Sequence, residues 1–244
     1  MDLRRTLVPF NPSFFEQEAS SGVRKSLPQT FDFICKTNHW NSVDGVSGQG
    51  SSPAQTGQLL RNLSTLLQSL HIRTLLDLPC GDFSWLRLLD PPVPHYIGGD
   101  VVEEIIGRNR ASFGNPRMLF RVIDLCRDPL PDSDLLLCRD CLVHLSFADI
   151  HAALRNIRRS RISHVLLTTF TGCDHNEDIT TGDWRPINLL HPPFGFPSPV
   201  LILNEGCTEG DGRFADKSMA LWRVASLPDV YPAGPTTIQH KVQT

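Results

Sequence analysis

The chain is predicted to be an α/β protein built on a doubly wound, mostly parallel seven-stranded sheet with one reversed edge strand. Three observations predict it. Four short apolar runs each close on a carboxylate: TLLDLPCGD at 74–82, HYIGGD at 95–100, MLFRVID at 118–124 and DLLLCRD at 134–140. Helical patterns intervene, so strand and helix alternate as they do in parallel β-α-β units. Two later apolar runs, separated by a Gly-rich turn region, read as an antiparallel hairpin at the sheet edge. A short apolar run bounded by turn residues is the mark of a strand buried on both faces. Ligands of such sheets sit at the carboxyl ends of the strands, which is where these acids stand, so the chain reads as a binder of a nucleotide-type ligand.

Residues 1–50 are rich in Ser, Gly, Asn and Pro, show little periodicity, and carry Phe10, Phe14, Phe15, Phe31 and Phe33. They predict a covering arm or lid, partly ordered. The first strong helix starts where Ser52 precedes Pro53, with Gln55 placed to complete a capping box. Leu59, Leu60, Leu63, Leu66, Leu67 and Leu70 then recur at helical spacing and give one face to pack on a sheet. The first strand is followed by a short helix predicted from Asp82 to Leu89, cut by Pro91 and Pro92. After the second strand, Val101, Val102, Ile105 and Ile106 begin another helix. The third strand ends at Asp124 and the fourth runs from Asp134 to Arg139. Ser146 opens a helix whose Ile150, Ala153, Leu154 and Ile157 share a face. Arg155, Arg158, Arg159 and Arg161 crowd its end, where cations complement the helix dipole in preference to forming an anion site. A fifth strand, HVLLTTF at 164–170, precedes a long irregular stretch from 171 to 199 with five prolines. Loops of that length inside a compact domain are usually functional. PVLILNE at 199–205 and SMALWRV at 218–224 form the predicted hairpin. The expected boundaries are an arm over 1–50, a catalytic domain over 51–227 and a tail over 228–244 with little structure.

The 244 residues suffice for one α/β domain with a complete core. A net charge of −3 with 40% hydrophobic residues advertises neither a polyanion-binding surface nor disorder, so nucleic acid is not expected as a partner. The amino terminus carries Arg4 and Arg5 but is broken by Pro9 and Pro12, unlike a signal peptide, and no stretch is long enough to span a membrane. Seven cysteines, at 35, 80, 126, 138, 141, 173 and 207, match no disulfide framework and favour a reducing, cytoplasmic setting.

Over about residues 53–225 the order of motifs resembles the class I S-adenosylmethionine-dependent methyltransferases and their Rossmann-like fold. The resemblance rests on LDLPCGD, on the acids closing the second and third strands, and on RDCLVH. It implies that Asp77 and Gly81, with Pro79 and Asp82, receive the methionine part of adenosylmethionine. It implies that Asp100, beside Val101, bonds the ribose hydroxyls, that Asp124, beside Leu125, faces the adenine, and that Arg139 to His144 line the methyl-transfer site. More narrowly, SGQGS at 47–51, LPCGDFSWL at 78–86, RDCLVHLS at 139–146 and TGDWRPINL at 181–189 are similar to a poorly characterised bacterial-type methyltransferase family, a match that supplies no substrate.

Beside the resemblance, each residue has a plainer reading. Asp77 and Asp124 are equally of the type that caps a helix or fixes a turn. The spacing of 23 residues from Asp77 to Asp100 favours the ligand-binding reading. Pro79 and Phe83 stand where the family often has glycines; this disfavours NAD, whose pyrophosphate needs a glycine turn at a helix N-terminus. Methyl transfer is an in-line displacement that chiefly requires alignment and exclusion of water. If the acceptor must lose a proton, His144 is the candidate base, and Asp140 orients it or contacts the acceptor; alternatively both are structural. Trp184 and Arg185 suit a planar or carboxylate-bearing substrate, or else a Trp packed on the sheet edge with an Arg satisfying loop carbonyls. Ser47, Gly48, Gly50 and Ser51 read as a lid or a linker. Cys138, Cys141 and His144 have acceptable zinc-ligand types, but no second paired motif follows, so no metal is expected. The fourth strand lacks the Asn/Asp-Pro-Pro-aromatic motif that serves exocyclic amines of bases or glutamine. The expected function is methyl transfer from adenosylmethionine to an O or N nucleophile of a small molecule, with adenosylhomocysteine as coproduct. A protein acceptor stays open, as do a non-catalytic scaffold or binding protein and, less favoured, a nicotinamide-dependent oxidoreductase.

Overall fold

The computed structural model describes residues 11–42, 45–90 and 92–229. Arg4, Arg5, Pro9, Phe10, Pro91 and the tail from residue 230 lie outside the described residues. Within them, strands β1 (Thr74–Asp77), β2 (His95–Asp100), β3 (Met118–Val122), β4 (Leu135–Cys138), β5 (His164–Phe170), β6 (Leu201–Asn204) and β7 (Lys217–Arg223) form one sheet. Their order is β3-β2-β1-β4-β5-β7-β6. The first five strands are parallel, with Leu76 opposite both Ile97 and Leu136. β7 runs antiparallel to β5, pairing His164 with Arg223 and Phe170 with Lys217, and β6 closes the edge antiparallel to β7. The expected hairpin is thus present at the edge, with its reversed strand inserted between β5 and β6.

The uninterrupted apolar runs have a direct cause, because successive side chains of one strand enter two different cores. Leu136 and Cys138 of β4, Val165 and Leu167 of β5, and Ala220 and Trp222 of β7 enter one core. Ile150, Ala153, Leu154 and Ile157 of α5 (Phe147–Arg159) cover that core. Leu135, Leu137, Leu166, Met219 and Leu221 enter the other, covered by Leu59, Leu63, Leu66 and Leu67 of a helix at Pro53–Ser69. Truncating any of these leucines to alanine forfeits about 2–5 kcal/mol of packing. Among the described residues the seven cysteines form no disulfide. No helix among the described residues is long and apolar enough to cross a membrane.

Four local features differ from expectation. First, the composition of residues 1–50 predicts little regular structure, yet α1 (Phe14–Ser20) and α2 (Leu27–Thr37) form there. Ser26 N–H donates to Gln29 Oε1 at 2.9 Å and Pro28 occupies the first turn, a proper helix start. Second, Ser52 precedes α3 (Pro53–Ser69), but its side chain makes no cap. The Gln55 side chain leaves the helix instead, donating to Thr208 Oγ1 at 2.8 Å and accepting from Thr208 N–H at 3.1 Å. Third, the segment 82–89 holds only a 3-10 turn at Leu86–Leu88, because Phe83 has a φ of +58°, which no right-handed helix accepts. Fourth, β3 stops at Val122, leaving Asp124 in the turn beyond it. The helix after β2 is α4 (Glu103–Phe113), as its apolar spacing predicts.

Candidate active site

A cleft of about 980 Å³, open solvent included, lies over the carboxyl ends of β1, β2 and β4. Its floor is made by Asp77 to Gly81, Asp100 to Val102 and Arg139 to Cys141. The opposite wall comes from the arm: Leu27, Phe31, Ile34 and Cys35 of α2, then Trp40, Val46, Ser47 and Ser51. Cys35 packs with Val102 and Ile105, with Phe31, Val46 and Val101 around them, so α2 covers the β2 side of the cleft.

Two buried carboxyls mark the strand ends. Asp77 is buried and accepts from Tyr96 Oη at 2.7 Å. Burial pushes its pKa up to about 7, against the pull of the Tyr96 hydroxyl. Asp100 accepts from Val102 N–H at 3.0 Å through Oδ1 and from Gly81 N–H at 3.2 Å through Oδ2. Burial raises it to about 6, with those backbone donors pulling the other way. An ionised carboxylate offers about four lone-pair sites, so Asp100 keeps capacity for further donors in the cleft.

The loop after β1 and the segment 45–51 are fastened to each other. Gly81 has a φ of +51°, the left-handed region where a side chain is strained. Ser47 Oγ accepts from Asp82 N–H at 3.1 Å, while Asp82 Oδ2 accepts from Val46 N–H at 2.9 Å. Asp82, expected at the cofactor, is therefore spent on holding the arm, whereas Pro79, Gly81, Val101 and Leu125 line the cleft.

A charged network closes the side toward β7. The Arg139 guanidinium, buried, donates to Glu205 at 2.6 Å and to the Gly50 carbonyl at 2.9 Å, lies 3.3 Å from Asp140, and stands 5.2 Å over the Trp85 ring. Burial opposes its charge, but Glu205 and Asp140 outweigh burial and raise its pKa. Lys217 Nζ meets Asp140 at 2.7 Å, Glu205 at 3.7 Å and Glu209 at 4.0 Å. Burial pushes Asp140 up, yet the Lys217 and Arg139 charges prevail and hold it at about 2. Asp140 lines the cleft as a permanent anion, in a left-handed backbone with φ of +51°.

Four expected site residues stand elsewhere. His144 is buried beneath Trp40, the rings stacked at 4.5 Å, and its Nδ1–H donates to the Asp183 carbonyl at 3.0 Å. Burial lowers its pKa to about 4, so it is neutral at pH 7 and screened from the cleft. Asp124 Oδ1 accepts from Cys126 N–H at 2.8 Å, capping the turn after β3 and leaving Ile123, Leu125 and Cys126 to face the cleft. Trp184 packs edge-on against Phe170 and Phe214, with centroids at 6.1 and 5.0 Å. Arg185 is buried and donates to the carbonyls of Leu142, Leu145 and Glu177 at 2.8, 2.7 and 3.0 Å. Arg185 ties the loop back to the segment after β4, satisfying two carbonyls there and one of the loop's own. At the basic end of α5, Arg158 donates to the Leu227 carbonyl, and Arg161 beyond the helix pairs with Asp132.

The sequence pattern does not single out Phe31, Trp40, Tyr96, Glu205 or Lys217 as site residues. The Ser26–Gln29 capping box followed by Leu27, Phe31, Ile34 and Cys35 on one helical face is the signal that places the first in α2. Glu205 and Lys217 come from the hairpin, and only the insertion of β7 beside β5 brings them under Asp140.

No protein-family model and no curated protein matches this chain. Solved structures do. The chain superposes on human N-acetylserotonin methyltransferase, determined in complex with SAM, with a TM-score of 0.51 at 14% identity, over 86% of this chain and 62% of that one. This is the class I methyltransferase fold. The N-methyltransferase NodS of Bradyrhizobium japonicum WM9 matches with a TM-score of 0.47 at 16% identity, over 67% of this chain and 94% of that one. The methyltransferase domain of bacterial CtHen1 matches with 0.41 at 20%, over 46% of this chain and 65% of that one. In a class I methyltransferase fold the cleft at the ends of β1, β2 and β4 occupies the ligand side of the sheet.

Proposed function

We propose that the chain is an S-adenosylmethionine-dependent methyltransferase acting on an O or N nucleophile of a small molecule, with adenosylhomocysteine as coproduct. The observation that carries this is Asp100: a carboxyl buried at the end of β2, held by two backbone donors beside the apolar slot of Val101, Val102 and Ile105. Such an acceptor beside an apolar slot fits a ribose diol next to a purine. Asp100 would hold the ribose hydroxyls, Leu125 with Val101 and Ile105 the adenine, and Asp77, Pro79 and Gly81 the methionine end. The bound group supplies an electrophilic methyl on a sulfonium. The chain supplies position and dryness, through α2 and the fastened segment 45–51. His144 stays with its proton on Nδ1 and braces Trp40 and the 183 carbonyl, so proton abstraction by it is not part of the proposal.

The structure of the 82–89 segment supports adenosylmethionine over NAD. Only a 3-10 turn follows Gly81, so no helix N-terminus stands ready for a pyrophosphate. A non-catalytic binding protein is the second reading, favoured by the withdrawal of His144 and by the pairing of Asp140 with Lys217. Incubation with methyl-labelled adenosylmethionine and a cell extract split by size tests both. Label entering the small-molecule fraction supports the proposal, and label in protein moves the acceptor to protein. Cofactor binding without label transfer favours the binding protein.

A further inference from the structure

The acceptor side of the cleft has an electrostatic character that narrows the substrate. The cleft-lining charged residues are Asp77, Asp100, Arg139 and Asp140. Arg139 is the cation among them, and each of its guanidinium nitrogens faces a carboxylate or carbonyl: Nε and Nη2 on Glu205, Nη2 also on Gly50, Nη1 on Asp140. Lys217, beneath Asp140, is shared among Asp140, Glu205 and Glu209. The network of two cations and three carboxylates therefore carries an excess negative charge. Among the described residues lining the cleft, no cation is left over for an anionic acceptor.

The same geometry disfavours an oxygen nucleophile. A phenol or alcohol must shed its proton during transfer, which calls for a base within reach and a positive group to steady the developing oxyanion. His144 is behind Trp40, Arg139 is engaged, and Asp140 is an anion that resists a second one nearby. An alkyl amine arrives as its ammonium, which the Asp140 carboxylate pairs with; it gives up one proton to solvent to free the lone pair that attacks the methyl, and no oxyanion develops in the transfer. The surrounding surface from Leu27, Phe31, Trp40 and Trp85 is apolar and aromatic.

We propose that Asp140 is the acceptor-binding residue and that the acceptor is an amine carried on an apolar or aromatic body. The inference rests on the methyltransferase reading for its chemistry, and on Asp140 alone for its selectivity. Glu205 and Lys217 act through Arg139 and Asp140 as positioning residues, fixing the carboxylate at the cleft wall.

The test is calorimetric titration of the full chain, saturated with adenosylhomocysteine, by a series of aryl-alkyl amines and their matched alcohols and carboxylates, of which phenethylamine, phenethyl alcohol and hydrocinnamate are the smallest. Amines should bind at least about tenfold tighter than the matched alcohols, a gap of about 1.4 kcal/mol, and the carboxylates weakest of all. In Asp140→Asn, whose side chain tolerates the left-handed backbone, the amine preference should fall to within about twofold with adenosylhomocysteine affinity unchanged. Carboxylates binding as tightly as amines, no amine binding, or a preference that survives Asp140→Asn would each overturn the proposal. The preference in the unsubstituted protein is read without any variant. If amines bind through Asp140 while adenosylhomocysteine does not bind, the subsite stands and the methyltransferase reading falls; the reverse pattern refutes the subsite alone.

Discussion

Ser47 Oγ lies 2.2 Å from the point where a Cβ on Gly81 would stand. The arm and the loop after β1 thus meet at a place that only glycine leaves open, and Gly81 also needs its left-handed φ of +51°. Gly81→Ala should cost about 1–2 kcal/mol for the backbone alone, with a further loss from the clash. Urea titration of Gly81→Ala, Ser47→Ala and the double variant separates the two, because Ser47→Ala alone measures the lost Asp82 N–H bond and the remaining coupling between the two positions is the clash. Equal stability of Gly81→Ala and the parent protein would refute the contact.

Asp77 gives a pH signature of definite sign. Its pKa is raised from 3.8 to about 7, chiefly by burial, so its contribution to stability is full below pH 3.8 and is lost as pH rises through about 7. Asp77→Asn removes that titration while keeping an acceptor for Tyr96. The melting temperature of Asp77→Asn relative to the parent should therefore rise from pH 5 to pH 8. A difference that stays constant, or falls, contradicts the assignment.

Arg139 and Glu205 are both buried and joined at 2.6 Å. Removing Glu205 takes away the nearest carboxylate of the buried Arg139 and leaves it Asp140 at 3.3 Å, so Glu205→Gln should destabilise by about 3 kcal/mol, the low end for a broken buried pair. Replacing both, as Arg139→Met with Glu205→Leu, should recover much of that loss. Denaturant midpoints of the single and double variants check this, and a double variant no more stable than Glu205→Gln would contradict it.

The arm is anchored at its start by Asp183, whose two carboxylate oxygens accept from Phe15 and Glu16 N–H at 2.9 and 3.0 Å. Gly182 beside it allows Phe15 and Thr30 to approach within 2.5 and 2.6 Å of its absent Cβ. Asp183→Ala should lose about 1 kcal/mol of capping and speed amide exchange over 14–37 while β1 and β4 keep their protection. Unchanged exchange in the arm would show that the cap does not hold it.

The sheet was legible because its signal is local and strong: β1, β2, β4 and β5 are apolar runs with acid or polar ends, and burial on both faces leaves them little choice of residue. The arm was less legible because Ser and Gly between α1 and α2 mask a short amphipathic face, although Ser26, Pro28 and Gln29 announce a helix start. In the site, Asp77, Gly81 and Asp100 declare themselves by position at strand ends. His144, Trp184 and Arg185 do not, since residue type alone leaves open whether a polar group serves a ligand or its own loop's carbonyls. Glu205 and Lys217 lie 65 or more residues from Asp140, and only the antiparallel return of β7 unites them.

Calorimetric titration of the purified chain with adenosylmethionine, adenosylhomocysteine and NAD, alongside Asp100→Ala, is the most direct test of the cleft between the strand ends and the arm. The expected result is saturable binding of both sulfur nucleosides, none of NAD, and loss of at least about tenfold in affinity in a folded Asp100→Ala, since a charge-assisted hydrogen bond contributes about 1.5–3 kcal/mol. Failure of both nucleosides to bind, or equal affinity in Asp100→Ala, would contradict it.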